Sequence, residues 1–166
     1  IFLANEFFDA LPIKQIKKKE SLFFEKYISL SKNSKLKFSY KKANKKIVQA
    51  VKDLNLNFLG NTIEYPIVAI NYLKIISKKI NQFGGSLLIF DYGYTKGKNK
   101  NTLQSIKKHK YINIFKNPGN SDITSHINFQ LFYEILKNNN LNVTRSVPQN
   151  EFLQKMGIIH RANILS

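Results

Sequence analysis

The chain has 166 residues, a formal net charge of +17 and no cysteine. That length suits one hydrophobic core, the absence of thiols excludes disulfides and Cys-ligated metal sites, and no apolar run approaches the roughly 20 residues of a membrane-spanning helix. The charge is almost all lysine, with Arg145 and Arg161 the only arginines, so the planar fork favoured for reading bases and phosphates is scarce.

Residues 1–4 form a short apolar run that reads as a strand buried on both faces. Asn5, Glu6 and Asp9 follow it, at the end of a strand where open α/β sheets place their ligands. The chain does not begin with Met and opens inside this strand, so it is expected to be part of a larger domain. Residues 13–18, 21–30 and 35–40 are short alternating runs that predict a small antiparallel meander. Within it Leu22, Phe24, Lys26, Ile28 and Leu30 lie two apart, the period of a strand with one buried face. Ser31-Lys32-Asn33-Ser34 is a turn signal.

Residues 43–54 predict a helix through Ile47, Val51 and Leu54, and residues 58–65 an extended segment. A longer helix starts at Pro66, with Ala69, Leu73, Ile76, Ile80 and Phe83 on one stripe and Gly84 at its end. Residues 86–90 are again uninterrupted apolar sequence and end in Asp91-Tyr92-Gly93-Tyr94. A helix between two such strands is what a right-handed parallel crossover requires. If the strands are neighbours, Asn5-Glu6 and Asp91-Tyr92 meet at one sheet edge.

Residues 95–101 predict a polar loop, 102–109 a short helix with Leu103 and Ile106 inward, and 117–120 a turn. Asn128 is placed to cap a helix through Phe132, Ile135 and Leu136, which Asn138-Asn139-Asn140 ends. Residues 141–147 alternate as a further strand, and 149–156 close the chain as a helical turn or two before Gly157.

The candidate site residues follow from these placements. Glu6 and Asp9 are carboxylates three residues apart across a tight turn, able to bind a planar cation bidentately. Asp91 is either a pocket acid or the cap of its own turn. Tyr92 either lines a pocket or packs at a strand end. Asp122, Thr124 and His126 could contact a substrate, or could fix their loop by local hydrogen bonds. His109, His126 and His160 have no metal-ligand spacing.

The block Asn5-Glu6-Phe7-Phe8-Asp9-Ala10-Leu11-Pro12, followed by residues 84–94 and then by Asp122-Ile123-Thr124-Ser125-His126-Ile127-Asn128-Phe129, resembles the MidA family. These are S-adenosylmethionine-dependent methyltransferases that include the mitochondrial complex I assembly arginine methyltransferase and its bacterial homologues. The resemblance implies an α/β fold: the C-terminal part of a Rossmann-like class I methyltransferase sheet, with the antiparallel meander, about residues 13–41, inserted into it. Residues 1–166 would be the C-terminal portion of one such domain. It implies methyl transfer to a protein arginine of a respiratory complex I-type subunit, with Glu6 as acceptor-binding carboxylate, Asn5 and Asp9 assisting, and Asp91, Tyr92, Asp122, Thr124 and His126 toward the substrate.

The cofactor would be S-adenosylmethionine. Its Gly-rich loop after a first strand is not in this sequence, since Gly93-Tyr94-Thr95-Lys96-Gly97 lacks the spacing, and no cofactor-binding residue is assigned. The fragment by itself is therefore expected to be inactive. The implied partner is a protein substrate, with no specific nucleic acid and no metal, and a homodimer is allowed. The expected location is the bacterial cytoplasm, or the mitochondrial matrix in a eukaryote. The competing reading from charge alone is a basic RNA- or membrane-surface-binding module on a degenerate α/β scaffold. A third is an assembly partner that has reused the catalytic residues.

Overall fold

The computed structural model describes residues 1–54, 62–96, 101–116 and 118–166. In chain order its elements are β1 (Phe2–Asn5), β2 (Lys14–Lys19), β3 (Leu22–Leu30), β4 (Leu36–Lys42), α1 (Lys45–Asp53), β5 (Thr62–Tyr65), α2 (Ile67–Phe83), β6 (Leu87–Phe90) and β7 (Gly93–Tyr94). They continue with β8 (Gln104–Lys107), β9 (Lys110–Ile112), β10 (Asp122–Thr124), β11 (Ile127–Asn128), α3 (Phe129–Asn138), α4 (Gln149–Lys155) and α5 (Ile158–Leu165). The molecule is a mixed α/β protein.

β1 and β6 pair in parallel, in the register Phe2↔Leu87 through Asn5↔Phe90, with α2 between them in sequence. The two strands therefore end level, and Glu6 donates its backbone N–H to Phe90 O at 2.8 Å. The expected coverage of both faces is not seen. Ala4 is buried and Leu87 and Ile89 pack on the core, whereas Leu3 is 68% exposed and its partner Leu88 also faces outward. Alternation explains the split, because neighbouring residues on a strand point to opposite faces and one face of this two-stranded ladder lies open.

β2, β3, β4 and β5 form a four-stranded antiparallel sheet in the order β4-β3-β2-β5. Its core face differs from the one the spacing suggested. Ile16 and Ile63, paired across β2 and β5, are fully buried, and Glu25, opposite Ile16, is only 4% exposed. Phe23 of the same set packs on the core, to which Ile47 and Val51 of α1 also belong. The set containing Leu22, Ile28 and Leu30 lies outward instead, Leu30 at 65% exposure. The β3–β4 hairpin runs beyond the edge of the core, where Phe38 packs on Phe115 while Ile28 and Leu30 stay exposed.

Asn44 caps α1 through Ile47 N, and Asn128 caps α3 through Leu131 N, as side-chain acceptors at helix starts should. Asn140, at φ 61°, ends α3 in the left-handed region. α2 buries Ala69, Ile70, Leu73 and Ser77, but Phe83 at its end is exposed. α2 and α3 pack together, and Leu131, Phe132 and Ile135 complete the core around Phe8.

Three expectations need correction. Residues 102–109 are a hairpin of β8 and β9, not a helix. Lys108 and His109 both adopt positive φ, 48° and 59°, the geometry of a two-residue primed turn. So short a helix would have had little cooperativity of its own, whereas β8 gains ladders to both β9 and β10. Residues 141–147 form no strand: Leu141 and Val143 pack alternately on the core, but no described strand pairs with them. Beyond α4 the left-handed Gly157, φ 84°, starts a further helix, α5, that the sequence did not suggest. The extended segment expected at 58–61, the loop at 97–100 and Asn117 of the expected turn lie outside the described residues. Among the described residues no helix is long and apolar enough to cross a membrane.

Candidate active site

At the end of β1 the backbone turns sharply. Glu6 sits at φ 45°, a left-handed conformation that side-chain-bearing residues rarely adopt and that clusters at functional sites. The following turn is held from below by Phe8, which is buried and packs edge-on against Phe132 and Phe7, each at 5.1 Å. Phe7 in turn meets Tyr72 of α2 at 5.3 Å.

Asp91, at the end of β6, closes this turn. Its Oδ2 accepts the backbone N–H groups of Phe8 (3.0 Å) and Asp9 (3.3 Å), and its Oδ1 accepts that of Tyr92 (2.9 Å). Three backbone donors occupy it, so its geometry is that of an anchor orienting Asp9. Asp9 is 6% exposed, and its Oδ1 is buried with no hydrogen-bond partner among the described residues. Burial pushes the Asp9 carboxyl above the usual carboxylate range and nearby Glu6 pushes it further, while backbone donors and His126 pull the other way. Burial raises Asp91 as well, with the Asp9 charge adding to it. Tyr92 donates its hydroxyl to Glu6 Oε1 at 3.0 Å, and this bond to the acid raises the phenol.

The third wall comes from residues 125–127, whose consecutive amides are all engaged. Ser125 N donates to Asp9 O at 2.9 Å, His126 N to Thr102 Oγ1 at 2.9 Å and Ile127 N to Tyr92 O at 2.8 Å. The parallel pair of β11 with β7 sets this position, and it requires Gly93: a Cβ there would lie 2.4 Å from Ile127 O and 2.6 Å from the Phe129 ring. Gly93 thus allows the close approach of β7 and β11. A small cavity lies alongside, lined by residues including Phe8, Glu64, Tyr94, Ser125 and His126.

Glu6, Asp9, Asp91, Tyr92 and His126 therefore share one mouth, and Asn5 stands at its edge, paired with Phe90. Asp122 and Thr124 do not join them. Both lie on β10, where Thr124 accepts a hydrogen bond from Gln104 at 3.1 Å and Asp122 is exposed. Ser125, Thr102 and Glu64 were missed by reading the sequence. The one available signal was Glu64, a lone acid in the otherwise uncharged strand Thr62–Tyr65.

Comparison with known proteins then decides the lineage. Residues 1–147 match the family described as "Putative S-adenosyl-L-methionine-dependent methyltransferase". The chain belongs to that family. Relatives of this MidA-type chain include the Caenorhabditis elegans "Protein arginine methyltransferase NDUFAF7 homolog, mitochondrial", 30% identical over 97% of the chain and 38% of the worm protein. The Xenopus tropicalis protein arginine methyltransferase NDUFAF7 is 29% identical, over 99% of the chain and 38% of its own length. The chain thus spans under two-fifths of these relatives. A crystal structure of a Burkholderia thailandensis protein bound to S-adenosyl-homocysteine superposes with a TM-score of 0.76 at 20% identity, over 95% of this chain and 42% of that one. That likeness shows the fold of this MidA-family chain.

Proposed function

We propose that this chain supplies the acceptor-binding part of an S-adenosylmethionine-dependent methyltransferase that modifies a protein arginine, on a subunit of the respiratory complex I type. On this reading β1 and β6 belong to the C-terminal part of a Rossmann-like sheet, and the antiparallel β2–β5 sheet is inserted into it. The names of the relatives and the structural neighbour's bound S-adenosyl-homocysteine support the reading. The observation that carries it is the buried Asp9 Oδ1, without a donor among the described residues, beside Glu6.

The donor supplies a methyl carbon already activated on a sulfonium, and no residue of this chain is assigned to its site. What they do is hold the acceptor. A guanidinium placed at the mouth offers N–H groups to Glu6 and, once the turn opens enough to uncover it, to Asp9 Oδ1, charge-assisted bonds worth about 1.5–3 kcal/mol each. As a guanidinium nitrogen gains a methyl group it sheds one proton, and carboxyls whose affinity for protons burial has raised are suited to receive it. Asp91 keeps the turn in place, and Tyr92 orients Glu6. Alignment supplies much of the barrier reduction in such displacements.

The test is methyl transfer by the intact protein to an arginine-containing peptide, with Glu6→Ala compared to the unsubstituted protein. Turnover should fall about 100-fold or more with folding nearly unchanged. Unchanged turnover would remove Glu6 from the reaction and, with it, this assignment of the site.

A further inference from the structure

Glu64 lies on β5, in the antiparallel sheet, yet its carboxylate reaches the site through a single hydroxyl. Oε2 accepts the Thr102 hydroxyl at 2.6 Å, and Oε1 accepts Thr102 N at 2.9 Å, Leu103 N at 3.2 Å and Gln15 Nε2 at 2.8 Å. Gln15 is itself fixed by Lys26 Nζ on its Oε1 and by Asn101 on its amide. Because a carboxylate only accepts, the Thr102 proton is committed to Glu64, and the hydroxyl oxygen is left to accept His126 N. His126 is the middle of the three consecutive amides that bind the site together, between Ser125 on Asp9 and Ile127 on Tyr92. Glu64 also lines the cavity that Ser125 and His126 line.

We propose that Glu64, acting through Thr102, is a positioning residue for the acceptor site, setting the placement of His126 against Asp9. A carboxylate serving only to stitch two sheets would need no particular polarity at Thr102. Here Glu64 fixes the Thr102 hydroxyl rotor with its hydrogen turned away from His126 N, so that the oxygen's lone pairs face that amide. The proposal rests on the acceptor-site reading above for its functional consequence, though not for the structural link.

The experiment uses the intact protein carrying Glu64→Gln, Thr102→Val, both together, or Thr102→Ser. His126 is one of only three histidines, so its imidazole signals can be followed by NMR beside His109 and His160. In Glu64→Gln and in Thr102→Val the His126 signals should shift or broaden while the other two stay, and Thr102→Ser should restore them. KM for an arginine peptide should rise about fivefold to tenfold, roughly one hydrogen bond, with KM for the methyl donor unchanged. The double variant should be no worse than the worse single one, as for two residues acting through one link. Unmoved His126 signals in a folded Thr102→Val protein overturn the proposal. Moved signals with an unchanged peptide KM uphold the link from Glu64 to His126 and count against the acceptor reading instead.

Discussion

Replacing Asp9 by Asn should make the protein more stable and less active at once. Asp9 Oδ1 is buried without a donor among the described residues, and an unsatisfied buried acceptor costs about 1–3 kcal/mol. The charge also sits beside Glu6 and Asp91, and burial and Glu6 both raise its pKa. A raised folded-state value means that the native protein binds the proton more tightly than the unfolded chain does. Its stabilising contribution is therefore fully present below the ordinary aspartate value, 3.8, and is lost as pH rises through the folded value. Asn does not titrate, so Asp9→Asn should gain on the unsubstituted protein as pH rises from the ordinary aspartate value through the folded one. Denaturant unfolding of both proteins across that range, with methyl transfer measured on the same samples, gives the comparison. A stability difference that does not change with pH, or a loss at high pH, would refute the claim that Asp9 is held ionised at a cost.

Glu6→Gly should be about 1 kcal/mol more stable than Glu6→Ala, since only glycine adopts φ 45° without strain, although both variants lose activity. Equal melting temperatures for the two would show that the backbone stores no strain there. Gly93→Ala should cost about 2–3 kcal/mol, because its methyl group meets Ile127 O and the Phe129 ring; an unchanged denaturation midpoint would mean that β7 and β11 can separate freely. Tyr92→Phe removes an exposed hydrogen bond to Glu6, so the denaturation midpoint should stay nearly unchanged. The same variant should raise the peptide KM about twofold to tenfold, and a large stability loss in it would mark Tyr92 as a packing residue instead.

The sequence exposed one half of the site more readily than the other. Residues 1–4 and 86–90 are apolar runs that stop abruptly at Asn5-Glu6 and Asp91-Tyr92, and a helix between them implies parallel neighbours whose ends coincide. The level register of Asn5 with Phe90 follows from that local pattern. The other half depends on pairs too short to leave a period. β7 and β11 are two residues each, and nothing in Gly93-Tyr94 or Ile127-Asn128 taken separately says that they meet. Asp122 and Thr124 stood out because they precede His126, but three residues of strand turn them into the β8 ladder. Lys108-His109 concealed a hairpin because neither residue is a usual choice for a turn with two positive φ angles. Glu64 was a single acid in a four-residue strand, and only the fold shows that four donors converge on it.

Charge offers a way to separate the enzymatic reading from a polyanion-binding one. The chain carries +17 overall, yet Glu6, Asp9 and Asp91 concentrate three of its ten acids at one mouth. A basic acceptor is repelled by the surface and attracted only over the last few ångströms. Salt screens charges separated by more than about 10 Å at 0.1 M but acts weakly on contacts within a partly buried pocket. Moving from low salt to about 0.15 M should therefore lower the KM for an arginine peptide, or leave it unchanged. An RNA- or anionic-membrane-binding module would do the reverse, since affinity that depends on released counterions falls steeply with salt. If peptide turnover weakens with salt in parallel with a strong, salt-sensitive RNA gel shift, the lysine surface governs binding and the carboxylate mouth does not.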